Sequence, residues 1–112
     1  MLKFCTEKGG WLAEIFAAEE QLSIMNEGLL EHDLNYWIGL TDSAVEGHFI
    51  WQHSSKPLSW SNWKSGEPNN LGGDEDCVAL LKPHNWKWND FPCGKSHDWD
   101  LDMHALCEYG QE

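Results

Sequence analysis

From residue 54 to residue 76 the chain is rich in Ser, Asn, Gly, Pro and Asp, which make up fifteen of its 23 residues. A loop of that length inside a small domain is uncommon, and where one occurs it is functional or disordered. The whole chain has 112 residues, so it forms one domain (residues 1–112) with a modest core. Domains of this size often rely on covalent staples. Four cysteines are present, Cys5, Cys77, Cys93 and Cys107, and no two of them make a Cys-x-x-Cys pair. Zinc and thioredoxin-type chemistry are therefore poorly supported. An even number of cysteines in a Trp-rich, loop-rich chain reads as two disulfides and an oxidising compartment. Spacing alone leaves three connectivities open.

The formal charge is −12. No basic stripe exists to neutralise phosphates, so nucleic acid is not an expected partner, nor is an anionic membrane surface. No transmembrane run exists, and residues 1–5 lack the apolar stretch of a secretory signal. With the disulfide reading, that points to a processed or truncated form, or to a Met1 that is not the natural start.

Around the long loop the coarse structure is legible. Residues 4–8 read as the end of a helix stopped by Gly9-Gly10. Residues 11–15 read as a short extended piece. Residues 17–30 read as an amphipathic helix, with Leu22, Met25 and Leu29 recurring on one face and Glu19-Glu20 in the first turn. Residues 36–40, 48–52, 77–81, 86–88 and 105–109 are strand candidates. Helices first and short strands after give an α+β class.

The loop and the strands behind it carry oxygen donors: Glu67 and Asn69 on either side of Pro68, then Glu75, then Asn89 and Asp90. Hard oxygen ligands with no histidine among them suit calcium, which takes six to eight such donors. The six histidines show no metalloprotease spacing and are expected at the surface. Asp98, Asp100 and Asp102 repeat every second residue, but Met103 and Tyr109 stand where an EF-hand needs Gly and Glu. No Ser/His/Asp or Cys/His set is indicated, so an enzyme is not expected.

Taken in order, Glu14, Glu19-Glu20, Trp37-Ile38-Gly39-Leu40, Trp60-Ser61-Asn62-Trp63, Gly66-Glu67-Pro68-Asn69, Glu75-Asp76-Cys77, Trp88-Asn89-Asp90, Cys93 and Cys107-Glu108 resemble a C-type lectin-like domain. The resemblance covers nearly the whole chain, about residues 4–109. It implies the pairs Cys5–Cys107 and Cys77–Cys93, a cis Pro68, and one calcium among Glu67, Asn69, Glu75, Asn89 and Asp90. It also suggests a second, auxiliary calcium among Asp42, Glu46, Asn70 and Asp76, with Glu75 shared. Two such ions would carry the formal charge from −12 to −8.

In the family, Glu-Pro-Asn goes with mannose, fucose and N-acetylglucosamine, and Gln-Pro-Asp with galactose. The resemblance thus implies a secreted, calcium-dependent binder of mannose-type glycans or glycoproteins, acting through vicinal hydroxyls. The alternative is a calcium-dependent protein- or ice-binding module on the same fold. Trp86 and Trp99 are the candidates to stack on a sugar, whereas Trp37, Trp51, Trp60, Trp63 and Trp88 belong to the core. Family members commonly cluster for avidity, so a homo-oligomer is compatible with this reading. Two departures stand out. The family's first strand is missing, which would expose an edge at the last strand. The Cys93-to-Cys107 interval is also longer than usual, through an insertion at residues 94–102 to which no family role transfers.

Overall fold

The computed structural model describes residues 4–26, 30, 35–68, 76–92 and 103–110. The strand β4 (Cys77–Leu81) is buried along its whole length, as expected of an uninterrupted apolar run at the centre of a sheet. On one side it pairs antiparallel with β5 (Lys87–Phe91), and on the other with β2 (Asn35–Thr41). The far edge of β2 is shared: Asn35–Trp37 pair in parallel with β6 (Met103–Ala105), and Leu40–Thr41 pair antiparallel with β3 (Ile50–Trp51). A second, two-stranded sheet joins β1 (Trp11–Leu12) to β7 (Cys107–Glu108). Two helices are present among the described residues, α1 (Phe4–Glu7) and α2 (Ala18–Asn26).

Side chains alternate across a strand, so the central strands feed two separate cores. Tyr36, Ile38, Leu40, Val78, Leu80 and Trp88 meet Ile15 and Trp51 on one face. Trp37, Cys77, Ala79, Leu81 and Phe91 meet Cys5 and Leu12 on the other. In the first core Trp88 is the hub. The rings of Trp51, Trp60 and Trp63 approach it edge-on, with centroids 5.6–5.9 Å apart, a favoured aromatic geometry. Trp51 and Trp88 are fully buried, while Trp60 and Trp63 are partly buried against them.

The second core is stapled by the disulfide Cys5–Cys107, which links α1 to β7 as expected. Closing a loop of about 100 residues contributes on the order of 4.7 kcal/mol in the chain-entropy model. Cys77 is also disulfide-bonded, and its expected partner Cys93 lies outside the described residues. The last strand, expected to lose a partner and expose an edge, pairs with β1 in a two-stranded sheet, through Trp11↔Glu108 and Leu12↔Cys107.

Three local readings need correction. The helix α2 is described over Ala18–Asn26, residues 27–29 lying outside the described ones, and its most buried residue is Gln21, at 3% exposure. Leu22, expected on the core face, is 53% exposed. The residue that wins the inward position is the one whose amide finds buried partners. Trp86 is not in a strand. It closes the loop before β5 with φ +64°, next to Asn85 at +56°. Finally, the segment expected at 105–109 splits into β6 and β7, which belong to different sheets.

Candidate functional site

The register between β2 and β4 breaks after Ile38↔Val78 and resumes at Thr41↔Cys77. The extra residues Gly39 and Leu40 let β2 swing away toward β3, as bulges do. Gly39 is required at the bend, because a Cβ there would sit 2.8 Å from the Leu12 carbonyl oxygen. The swing brings the end of β2 beside the start of β4. Thr41 Oγ1 donates to the Asp76 carbonyl at 2.6 Å, and the Asp42 amide donates to the same oxygen at 3.2 Å. Thr41 had no sequence signal of its own, since it acts through a backbone oxygen.

This junction gathers Asp42, Glu46 and Asp76, whose carboxylate oxygens come within 4.8 Å of one another. Asp42 is 2% exposed. Its Oδ2 accepts from the Gly47 amide at 2.8 Å, while its Oδ1 is buried with no hydrogen-bond partner among the described residues. Glu46 is exposed, yet its pKa is raised above the ordinary carboxylate value. The main cause is the hydrogen bond a protonated Glu46 makes to Asp42; desolvation and the negative charges of Asp42, Asp76 and Asp90 add to it. A buried carboxylate oxygen with no partner among the described residues, on a side chain grouped with two further carboxylates, suits a hard divalent cation. These are three of the four residues expected at the auxiliary site; Asn70 lies outside the described residues.

Of the residues expected at the principal site, Glu67, Asn89 and Asp90 are described, and Asn69 and Glu75 are not. The Glu67–Pro68 peptide is cis. Glu67 is largely covered, with Oε2 4.0 Å from Lys64 Nζ. Asp90 is 1% exposed and lies in register with Val78. Strand alternation alone would send Asn89 and Asp90 to opposite faces. The Asn89 amide donates to the Asp90 carbonyl at 2.9 Å, so the Asn89 side chain lies against the Asp90 backbone. Asp90 also acts electrostatically on Glu46, so the two sets of ligand candidates are neighbours.

The segment carrying Glu67 is tied to the strand carrying Asn89 and Asp90. Trp88 donates its backbone N–H to Asn62, and its carbonyl accepts from Lys64 at 2.9 Å. The Glu67 amide then donates back to the Lys64 carbonyl. Glu14 braces the start of the long loop, its Oε2 accepting from the amides of His53 (2.7 Å) and Ser54 (3.1 Å). His53 stacks on Trp11 with ring centroids 3.8 Å apart. His48, His53, His84 and His104 are exposed, as expected, and His32 and His97 lie outside the described residues. Trp86 packs its ring against Tyr36, centroids 6.1 Å apart, and is half-buried. Trp99, Asp98, Asp100 and Asp102, with the rest of the 94–102 insertion, fall outside the described residues.

Comparison with known proteins gives these features a family. A model of the lectin C-type domain matches residues 1–100. Salivary C-type lectin 2 of Aedes albopictus is 35% identical over 103 residues, covering 82% of this chain and 67% of that protein. A perlucin-like protein of Mytilus galloprovincialis is 36% identical over 93 residues, covering 81% and 59%. Among solved structures, the carbohydrate-recognition domain of mouse scavenger receptor C-type lectin superposes with a TM-score of 0.69 at 37% identity, covering 82% of this chain and 68% of that one. The cow C-type carbohydrate-recognition domain of CD23, solved in the presence of a GlcNAc2Man3 oligosaccharide, gives 0.69 at 40% identity, covering 82% and 67%. The chain thus spans about three-fifths to two-thirds of the relatives it matches. With an α+β fold of two helices and antiparallel strands stapled by Cys5–Cys107, and with these relatives, the chain belongs to the C-type lectin family, whose members bind carbohydrate and are not enzymes.

Proposed function

We propose that this domain binds mannose-type glycans in a calcium-dependent manner, through a pair of vicinal hydroxyls. The observation that carries the calcium part is Asp42, grouped with Glu46 and Asp76, whose buried Oδ1 has no hydrogen-bond partner among the described residues. Asp42, Glu46 and Asp76, with Asn70, would hold an auxiliary ion. Glu67, Asn69, Glu75, Asn89 and Asp90 would hold the principal one, and Glu75 would serve both. A bound calcium ion supplies coordination positions that two adjacent hydroxyl oxygens can take in place of water.

The side chains do the rest. A carboxylate such as Glu67 accepts a hydroxyl proton, and an Asn amide donates to the same hydroxyl oxygen. Acceptor and donor set at once on each of two neighbouring hydroxyls match a vicinal diol. The order Glu67-Pro68-Asn69 favours mannose, fucose and N-acetylglucosamine over galactose, in line with the glycan in whose presence the cow relative was solved. Trp86 lies four residues before Asp90, in the turn of the same hairpin. Its exposed part can stack on a second sugar of an extended glycan. Two disulfides and the name of the salivary relative support a secreted setting. No helix among the described residues is long and apolar enough to cross a membrane.

The test is a glycan array read with calcium and again with excess EDTA. Mannose-type signals that vanish with EDTA are expected. Signals confined to galactose would overturn the specificity, and signals indifferent to EDTA would overturn the mechanism. Calcium binding with no glycan signal would favour a protein- or ice-binding module.

A further inference from the structure

Gln21 is 3% exposed, on a helix whose other residues are exposed or half-buried. A buried amide is costly unless both ends are satisfied. Here both are: Nε2 donates to the Trp86 carbonyl at 2.9 Å, and Oε1 accepts from the Trp88 indole Nε1 at 2.8 Å. One side chain from α2 therefore fixes two residues around the start of β5, one in the turn before it and one in the strand. It fixes Trp86, whose left-handed backbone needs support, and Trp88, whose ring is packed by Trp51, Trp60 and Trp63.

The same Trp88 residue also carries the backbone bonds that dock residues 62–64 alongside β5. From that docking point the two chain segments run on in parallel, since the bridge Trp63↔Trp88 is a parallel one. One segment reaches Glu67 a few residues later, and the other reaches Asn89 and Asp90 at once. The rotation of the Trp88 ring and the seating of the Glu67 loop are thus set together.

We infer that Gln21 is a positioning residue for the candidate principal site: it registers the 62–67 segment on β5, so that Glu67 comes together with Asn89 and Asp90. It touches neither ion nor sugar. This rests on the calcium reading above, and it adds a determinant of affinity on a helix remote in sequence from the proposed ligands. Reading the helix by hydropathy hides it, because the inward residue is polar and its apolar neighbour Leu22 faces out.

The test compares the wild-type chain with Gln21→Met, which keeps the volume and removes both hydrogen bonds. The control is Ile15→Val, a conservative trim in the same core. Calcium Kd is measured by calorimetry, melting temperature in EDTA, and amide exchange residue by residue. Gln21→Met is expected to weaken calcium binding by roughly fivefold to tenfold. It should also speed exchange at the Lys64 and Trp88 amides while leaving Val78 and Ala79 protected. Ile15→Val should lower the melting temperature and leave the Kd unchanged. A calcium Kd in Gln21→Met equal to wild type overturns the inference. A wild-type chain that binds no calcium overturns the function proposed above instead. In that case the EDTA exchange data still decide: selective loss at Lys64 and Trp88 supports the docking role, and uniform loss or no loss overturns it.

Discussion

At the scale of single residues, Glu46 shows how the carboxylate cluster responds to protons. It is fully exposed, yet it holds its proton more tightly than its ordinary value of 4.5 would give, chiefly through Asp42. A carboxyl whose folded-state pKa is raised adds stability when protonated, below about its unfolded value, and loses it as pH rises through the folded value. In EDTA at pH 7, Glu46→Gln is therefore expected to melt at or above the wild-type temperature, and the order should reverse as the pH falls toward 4.5. Thermal scans across that range check it; a variant that melts below wild type at pH 7 in EDTA contradicts it. With calcium present, protons compete for the same oxygens, so the wild type should lose its metal on mild acidification. Residues of this kind were readable in the sequence because a carboxylate's chemistry is visible in its identity. Thr41 and Gln21 were not, because each acts through hydrogen bonds that exist only once distant segments meet.

Among the elements, β4 was legible to the residue, since an unbroken apolar run with a cysteine at its start suits a strand buried on both faces. The helix α2 was legible as a helix and misread as to face. The pairing of β6 with β2 was not legible, because parallel contacts between segments far apart in the chain leave no local pattern. Trp86 shows the limit most sharply: an aromatic side chain argued for a strand, while the backbone adopts the left-handed turn that Gly prefers. A prediction follows for that hairpin. Trp86→Ala loses the ring's packing on Tyr36 and keeps a Cβ at positive φ. Trp86→Gly loses the same packing but removes the Cβ. Glycine should therefore be the milder substitution, by about 1 kcal/mol. Urea unfolding of the two variants checks the order, and an alanine variant as stable as the glycine one would refute it.

For the whole molecule, the acidic balance and the proposed ions are linked. Ions that bind the folded chain stabilise it by mass action, by about 2.7 kcal/mol for one site at a hundred times its Kd. In a domain of this size that corresponds to a rise in melting temperature on the order of 10 °C. Scans in calcium, magnesium and EDTA should show the rise with calcium and not with magnesium, whose small octahedral shell fits a site of mixed protein oxygens poorly. Equal shifts with both ions would point to general charge neutralisation of a −12 chain instead.

The bond between Cys5 and Cys107, separated by 102 residues, makes nearly all of the polypeptide a single covalent ring. A protease that cuts once anywhere inside that ring, including the exposed turns ahead of Pro68, opens it without dividing it. Both pieces stay joined as one particle until a reductant frees them. A single cut in those turns is thereby uncoupled from loss of the molecule.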